Sequence, residues 1–351
     1  MEYTMLRNML SSLCQLPGPS GFERPVALQA AEFLRPLVDE VKIDRMGNLI
    51  GVRRCGKPDA KRVLLDAHLD EIGLIVIGAQ EGFLRFRTIG GVDPRMLPDR
   101  EITILTERPL FGVVACLPPH IQQDGDSDKS VAIPDLYIDT GLTQEQAEEM
   151  IPAGTPCVFR DGCFSLGKNQ MCGKSMDDRA CFVTLIRTLQ LLQDKTLDVD
   201  LYILGSVREE VSHGGAATAA FAIAPDCCVA VDVTHGKTPD TPKDRTSELG
   251  GGPAVGIGPN MTHWMTERML TKAKQAGISL QYEVMAGATG TNGWDMQIAR
   301  EGIATSVISL PLKYMHSPVE TLDLSDMEAV ACLLAAFVER IGEEALACSI
   351  H

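Results

Sequence analysis

Aromatic side chains, basic clusters and long apolar runs are all scarce in this 351-residue sequence. With 2 Trp and 5 Tyr, the chain has few of the aromatic platforms on which sugar-binding sites are usually built. No stretch is rich in Lys or Arg, and 47 acidic residues against 32 basic ones give a formal charge of −15. A nucleic-acid footprint is therefore absent, and an anionic membrane would repel this surface.

Signals for export and membrane insertion are also missing. The first residues, MEYTM, carry neither the basic nor the apolar region of a secretory signal. The apolar stretch at residues 329–338 is about half the ~20 residues that cross a bilayer. The 11 cysteines are an odd number without a Cys-x-x-Cys pair, which argues against disulfides and zinc–thiolate sites. We expect a soluble, cytoplasmic protein that binds neither nucleic acid nor membranes.

Hydrophobic periodicity divides the chain into three stretches. The first has helices at 2–15 and 23–37, a strand pair at 41–52 and an apolar strand at 63–65. The second, from residue 74 to about 160, consists of short alternating segments separated by Gly and Pro, with one helix at 143–150. In the third, strands at 198–207, 227–233 and 305–310 alternate with helices at 179–193, 215–222, 262–276 and 325–345.

This pattern predicts an α/β fold with an inserted all-β unit. Strands that alternate with helices form mostly parallel sheets flanked by helices. The middle stretch predicts a small β-barrel or sandwich, inserted between the first metal-binding motif described below and the second. A chain of this length also exceeds one ordinary core, so two domains are expected.

Five short motifs present metal-binding side chains, most of them just after an apolar run. They are His68-Leu69-Asp70, Asp177-Asp178-Arg179, Glu209-Glu210, Asp232-Val233-Thr234 and Met315-His316-Ser317. Ligands of open α/β sheets bind at the carboxyl ends of the strands, so these motifs should meet. Imidazole and carboxylate donors suit Zn²⁺, Co²⁺ or Mn²⁺ better than the all-oxygen shells of Ca²⁺ do. Each motif alone is common in loops and helix caps, and the prediction rests on their joint occurrence.

The motifs supply ligands for two divalent metal ions that share one carboxylate. We assign Asp177 as the bridging ligand. His68 and Asp232 complete one metal site, and Glu210 and His316 complete the other. Such a site generates a metal-bound hydroxide at neutral pH and polarises a carbonyl oxygen, which is what hydrolysis of an amide requires.

Two further carboxylates receive supporting roles. Asp70, two residues beyond His68, is placed to fix the tautomer and orientation of that imidazole. Glu209 is the carboxylate left without a metal, which makes it the candidate general base and acid.

At these residues the chain resembles the tetrahedral, self-compartmentalising aminopeptidases, a metallopeptidase family (family forty-two) that includes glutamyl and deblocking aminopeptidases. The resemblance runs nearly end to end. The motifs that carry it are PGPSG (17–21), AHLDEIG (67–73), GGVDPR (90–95), ID (138–139), DDR (177–179), EEV (209–211), VDVTH (231–235), GGGP (250–253) and YMHSPVE (314–320).

The resemblance implies a zinc-exopeptidase-like catalytic domain at 1–70 and 166–351, with a β-rich domain at 71–165 that serves dimerisation and assembly. It further implies a homo-oligomer, a dodecamer built from dimers, that trims residues from peptides with a free N-terminus. The family's metal ligands, catalytic glutamate and orienting aspartate fall on the residues already assigned: His68, Asp177, Glu210, Asp232 and His316, then Glu209, then Asp70.

Two stretches depart from the family pattern. Ser212-His213-Gly214-Gly215 stands where Gly-Leu-Arg-Gly is expected, and Gly290-Thr291-Asn292, followed by Trp294-Asp295, stands where Gly-Thr-Asp is expected. Both stretches are expected near the substrate, where they would affect side-chain specificity. We expect His213 to be a pocket wall or loop residue rather than a third metal-binding histidine.

The sequence predicts a metal-dependent aminopeptidase but leaves alternatives open. A dimetal N-acyl-amino-acid deacylase or a carboxypeptidase would need a cation for the substrate carboxylate, and Arg179 and Lys313 lie near the motifs. A glucanase would need two spaced carboxylates, which are better explained as metal ligands. A non-catalytic scaffold would not need to keep every metal ligand, and this chain has all of the expected ones. The preferred N-terminal residue and the choice between Zn, Co and Mn stay open.

Overall fold

Two helices and three strands precede a β-rich insertion, and strands alternate with helices after it. The computed structural model describes residues 3–118, 131–160 and 162–346. The strands are β1 (Glu40–Ile43), β2 (Leu49–Arg53), β3 (Arg62–His68), β4 (Gly73–Gln80), β5 (Phe83–Ile89), β6 (Glu101–Ile104), β7 (Leu110–Ala115), β8 (Tyr137–Asp139), β9 (Pro156–Phe159), β10 (Phe164–Leu166), β11 (Gln170–Gly173), β12 (Asp200–Ser206), β13 (Cys227–His235), β14 (Ala254–Ile257), β15 (Gln281–Val284), β16 (Ala304–Leu312) and β17 (Glu320–Asp323). The helices are α1 (Thr4–Cys14), α2 (Arg24–Leu34), α3 (Gln144–Met150), α4 (Met176–Leu192), α5 (Glu209–Ser212), α6 (Gly214–Ile223), α7 (His263–Ala276), α8 (Gly293–Met296) and α9 (Leu324–Val338).

The apolar runs of the sequence form the centre of an eight-stranded sheet with the order β1-β2-β12-β3-β13-β16-β14-β15. Neighbours among β12, β3, β13 and β16 run parallel. Nearly every residue of these four strands is buried. Burial on both faces explains why they read as continuous apolar runs rather than as alternating patterns. The predicted α/β class with a mostly parallel sheet is confirmed.

Helices cover both faces of this sheet. Along β3, Val63 and Leu65 pack into the core formed with α1, α2, α4, α7 and α9. Leu64 points to the opposite face, where it packs with α6 and α8. Over the described ranges, no helix combines the length and the apolar content needed to cross a membrane.

The β-rich insertion is a closed antiparallel barrel with the strand order β4-β5-β8-β7-β6-β9. Its core contains fully buried side chains from successive strands, among them Leu74, Leu84, Ile102 and Val114. Closure pairs every strand and leaves no sheet edge exposed. The barrel alternative of the sequence prediction is therefore correct. Helix α3 starts, as predicted, after Thr143, whose side chain accepts a hydrogen bond within a capping box.

Several elements differ from the sequence prediction. The last long helix ends at Val338, not at 345, because Arg268 binds carbonyl oxygens at its end. Arg268 Nε donates to Phe337 O at 2.9 Å and Nη2 donates to Glu339 O at 2.8 Å. A short π-helical turn, Gly342–Leu346, follows. The sequence analysis also missed short elements whose few residues carry little periodic signal: β10, β11, β14, β15, β17, α5 and α8.

One buried arginine joins the N-terminal helix to the site-bearing part of the sheet. Arg179 is fully buried. Its Nη1 donates to Leu13 O at 2.9 Å and to Leu16 O at 2.7 Å. Its Nε donates to Leu69 O at 3.1 Å and its Nη2 to Glu71 Oε1 at 3.1 Å. The guanidinium therefore binds the end of α1 and the segment after β3 at the same time.

Glu71 is the carboxylate partner of this arginine and is itself almost completely buried. It accepts hydrogen bonds from Lys174 Nζ at 2.5 Å, from Gly18 N at 2.9 Å and from the Ser175 hydroxyl. Burial alone would raise the pKa of Glu71, but Lys174 and Arg179 hold it below its ordinary value. The charge is thus satisfied on every side.

Replacing Arg179 with Met should lower the free energy of unfolding by about 3–5 kcal/mol, because Glu71 and the carbonyl oxygens would stay buried without a partner. Urea unfolding followed by circular dichroism would measure this loss.

Arg187→Met, farther along α4, is the matched control. Arg187 pairs with Glu328 at 2.8 Å, with about a quarter of each side chain exposed, so its loss should cost about 1 kcal/mol. Equal unfolding midpoints for the two variants would contradict the role assigned to Arg179.

Candidate metal centre

The predicted site residues lie together at one edge of the central sheet. His68 is the last residue of β3, and Asp232 lies in the second half of β13. Glu209 and Glu210 open α5, directly beyond β12. Since β3, β12 and β13 run parallel, their carboxyl ends meet at this edge. The local order of the sheet therefore brings together residues that are far apart in the sequence.

Asp177 and His316 reach the same place from outside the sheet. Asp177 lies at the start of α4, where it and Asp178 have non-helical backbone angles and are joined by a cis peptide bond. His316 lies in the loop between β16 and β17. All the predicted metal ligands line one cavity of about 410 Å³, together with Glu209.

Asp177 lies between the two imidazoles. Its Oδ1 is 3.1 Å from His68 Nε2, and its Oδ2 is 3.4 Å from His316 Nε2. Glu210 Oε2 lies 3.3 Å from the same nitrogen of His316. Each oxygen of Asp177 thus faces a different histidine, which is the arrangement that a bridging carboxylate requires.

Oxygen atoms behind both imidazoles orient them toward Asp177. His68 Nδ1 lies 3.2 Å from Asp70 O and 3.5 Å from Asp70 Oδ1. His316 Nδ1 lies 3.0 Å from Gly91 O, in the loop that follows barrel strand β5. A proton on each Nδ1 would donate to these oxygens and leave Nε2 as the metal-binding nitrogen. A β-carbon at Gly91 would come within 2.7 Å of His316 Nδ1, so the ring needs glycine at this position.

Two groups of donor atoms lie close enough together to hold one ion each. His68, Asp177 and Glu210 form one group, and His68, Asp178 and Asp232 form the other, with the ligand atoms of each group within 4.8 Å of one another. All three members of the first group are among the predicted ligands, but the prediction placed His68 and Glu210 on different ions. The second contains Asp178, which the sequence analysis left without a role although it is adjacent to Asp177.

Buried carboxylates position the backbone that carries these ligands. Asp70 accepts hydrogen bonds from the backbone N of Glu209 at 3.1 Å and of Glu210 at 3.2 Å. The Ser20 hydroxyl also donates to Asp70, at 2.5 Å. Asp70 therefore supports the two glutamates as well as the histidine that the sequence analysis had assigned to it.

Glu320 has the corresponding position on the other side of the cleft. It accepts hydrogen bonds from the backbone N of Met176 at 2.7 Å, of Asp177 at 3.2 Å and of His316 at 3.0 Å. The sequence analysis included Glu320 in a motif but gave it no role. The sequence indicated Glu320 only as an acidic residue beside His316, and its burial is visible only in the structure.

The charges in the cavity are unevenly balanced. Burial raises the pKa of Glu210 to about 7 and the pKa of Asp232 well above the ordinary range. Burial would also raise the pKa of Asp177, but hydrogen bonds from His316 and His68 hold it well below its usual value. Burial would lower the pKa of His316, but Asp177 and Glu210 raise it to about 11.

This imbalance fits divalent cations. Desolvated carboxylates outnumber the imidazoles that face them, and such groups keep their charge only when a cation compensates them. The donor atoms are imidazole nitrogens and carboxylate oxygens, which suits zinc, cobalt or manganese.

The departures from the family pattern lie at the cavity or directly behind it. Gly290 and Thr291 line the cavity. Asn292 is buried, and its Nδ2 donates to Asp66 Oδ2 and to Ser206 Oγ, both at 2.8 Å. Burial raises the pKa of Asp66 to about 6. The neutral amide of Asn292 donates a hydrogen bond to Asp66, whereas an aspartate at this position would place a second carboxylate beside it.

His213 also lines the cavity. Its Nε2 lies 3.2 Å from Glu209 Oε1, and its Nδ1 lies 2.6 Å from Asp295 Oδ2. The contact with Glu209 has i, i+4 spacing and could have been predicted from the sequence. The contact with Asp295 joins distant positions and could not.

Comparison with known proteins identifies the family of this chain. A sequence model of the M42 glutamyl aminopeptidase family matches residues 47–333. Lysyl aminopeptidase of Pyrococcus furiosus is 36% identical over 339 residues, covering 95% of this chain and 96% of that protein. An aminopeptidase from the archaeon Desulfurococcus kamchatkensis superimposes with a TM-score of 0.90 at 34% identity, covering 97% of this chain and 96% of that one.

A third relative is the TET1 peptidase of Pyrococcus horikoshii, described as able to assemble into a tetrahedron or a large octahedral shell. It is 30% identical, with a TM-score of 0.83 over 95% of this chain and 99% of that one. The match to the family extends over both the catalytic motifs and the barrel. This chain belongs to the M42 glutamyl aminopeptidase family of peptide hydrolases.

Proposed function

We propose that this protein is an aminopeptidase that uses two divalent metal ions, zinc, cobalt or manganese, to remove N-terminal residues from peptides. His68, Asp177 and Asp232 would hold one ion, and Asp177, Glu210 and His316 the other. The observation that carries the proposal is Asp177, whose two carboxylate oxygens face the Nε2 atoms of the two histidines at 3.1 and 3.4 Å.

Bound cations would supply Lewis acidity and make a water molecule in the cleft more acidic. The chain itself would manage the proton. Glu209 has Oε2 on the cleft side, 3.8 Å from His68 Nε2, so it is within reach of a water beside the ligands. There it would accept a proton from the attacking water and later pass it to the leaving amine. Asp70 would hold Glu209 in place through its backbone.

The walls of the cavity favour a free amine over a carboxylate. Glu283 is one of the lining residues, and the lining that the structure describes contains no Lys or Arg. Arg179, one candidate for binding a substrate carboxylate, is fully buried and bound to backbone carbonyls and Glu71. The carboxypeptidase and deacylase alternatives thereby lose this cation.

We also propose a homo-oligomer, a dodecamer built from dimers, in which the barrel region 71–165 supports assembly and 1–70 with 166–351 form the catalytic domain. The support is the likeness to the Pyrococcus horikoshii peptidase that assembles into a tetrahedron. A cytoplasmic location stays a prediction.

Two variants distinguish a metal ligand from the general base. Asp177→Asn should lose most of the bound metal together with activity, since it removes the shared ligand. Glu209→Gln should keep the metal but lower kcat by about 100-fold to 10,000-fold, the usual contribution of a general base. Elemental analysis and turnover of aminoacyl p-nitroanilides measure both effects.

The control is Glu267→Gln, on the exposed face of α7, where the Glu267 side chain is 64% exposed. It should retain parental metal content and turnover. Parental turnover in Glu209→Gln would show that the base is another residue, and full metal content in Asp177→Asn would exclude it as the shared ligand.

A peptide with a free N-terminus and its N-acetylated twin separate the aminopeptidase from the deacylase. We expect hydrolysis of the free peptide from its N-terminus and no reaction of the acetylated one, because acetylation removes the cationic amine that the acidic cavity favours. Mass spectrometry of the products measures this. Release of acetate or of a C-terminal residue would support the rival enzymes instead.

The assembly should be visible by light scattering at low micromolar concentration, with a mass near twelve times the 38.0 kDa chain. Subunits of a closed particle interact through repeated interfaces, so intermediate sizes should be sparse. A monomer at all concentrations would rule out the compartment while leaving the catalytic proposal intact.

A further inference from the structure

The two stretches that depart from the family pattern contact each other at His213. One contributes His213, between α5 and α6. The other contributes Asp295, in α8. His213 Nδ1 lies 2.6 Å from Asp295 Oδ2. The contact joins two chain segments that are 82 residues apart in the sequence.

The pair acts directly on the carboxylate to which we assign the proton transfer. His213 Nε2 lies 3.2 Å from Glu209 Oε1, and the other oxygen, Oε2, is the one near His68 Nε2, at 3.8 Å. One oxygen of Glu209 thus contacts His213, and the other is the one that lies near His68.

Both nitrogens of His213 face carboxylate oxygens, one from Glu209 and one from Asp295. A neutral imidazole has one N–H and could donate to only one of them, whereas the imidazolium donates to both. The hydrogen bond to Glu209 acts against partial burial and, with Asp295, raises the pKa of His213 to about 9. The geometry therefore suits an imidazolium that directs one N–H at each carboxylate.

We propose that Asp295 and His213 form a positioning pair that holds the Glu209 carboxylate with Oε2 directed at the attacking water. This inference rests on the proposed function of Glu209. Glu209 Oε2 takes the proton from water and returns it to the leaving amine, while His213 keeps both of its protons throughout. His213 therefore acts through Glu209 and does not exchange protons with the substrate.

The substitution must respect the backbone at this position. His213 has φ +51°, in the left-handed region. Asn is among the non-glycine residues that tolerate this region best. His213→Asn consequently keeps the turn between α5 and α6 while its shorter side chain cannot link Glu209 with Asp295. Asp295→Asn is the second variant, which keeps the shape of the partner and removes its charge.

His213→Asn should lower kcat by roughly 10- to 100-fold, since misplacing a catalytic group by about 1 Å can cost about 100-fold. Bound metal should stay within about twofold of the parent, because no proposed metal ligand is removed, and kcat should fall by a larger factor than KM changes. Asp295→Asn should lower kcat less. The double variant should match His213→Asn, because residues that act as one unit are not additive.

His263→Asn is the matched control. His263 and Glu267 form the same i, i+4 pair on exposed α7, with Nε2 and Oε1 3.0 Å apart, and its loss should leave kcat and KM unchanged. A crystal structure of His213→Asn should also show the Glu209 carboxylate displaced or in several rotamers, a readout independent of turnover.

The inference is overturned if His213→Asn retains parental kcat, if the two substitutions have additive effects, or if Glu209 keeps its position in the variant. It is also overturned if His213→Asn loses metal in proportion to activity, which would indicate a structural role. A parent enzyme that has full metal content but no aminopeptidase activity would instead overturn the proposed function itself.

Discussion

Buried carboxylates that accept hydrogen bonds from backbone amides hold the cleft together. Asp70 binds the amides of Glu209 and Glu210, and Glu320 binds those of Asp177 and His316. Burying a carboxylate is costly unless every oxygen is satisfied, so each of these groups constrains several chain segments at once. These hydrogen bonds restrict the positions of the loops, and the proposed metal-binding side chains project from this frame.

The same principle extends below the cleft. Glu71 and Arg179 connect the end of α1, the segment after β3 and the start of α4. His68 and Asp177 lie at the ends of two of those segments. Stability and site geometry therefore depend on the same buried ion pair.

The barrel is also part of the site. Gly91 O orients the imidazole of His316, and only a glycine leaves room for that ring. The loop after barrel strand β5 thus contributes one of the contacts to His316, a ligand of the proposed second metal site. A shift of the barrel relative to the sheet would therefore change the orientation of the His316 imidazole.

The sequence alone predicted the α/β class, an inserted β-barrel or sandwich, and the residues that meet in the cleft: His68, Asp177, Glu209, Glu210, Asp232 and His316. It did so because continuous apolar runs mark buried parallel strands, and because chemistry-bearing residues follow such runs at the carboxyl edge of a sheet. Only the tertiary structure shows the distances around Asp177 and the place of Asp178 in a group of donor atoms. It also shows the hydrogen bonds of Glu320 and the pairing of His213 with Asp295. Position 213 lies in the turn between α5 and α6 and position 295 lies in α8, so no local periodicity relates them. Their contact follows from how those helices pack over one face of the sheet, which is a long-range property that spacing along the chain does not encode.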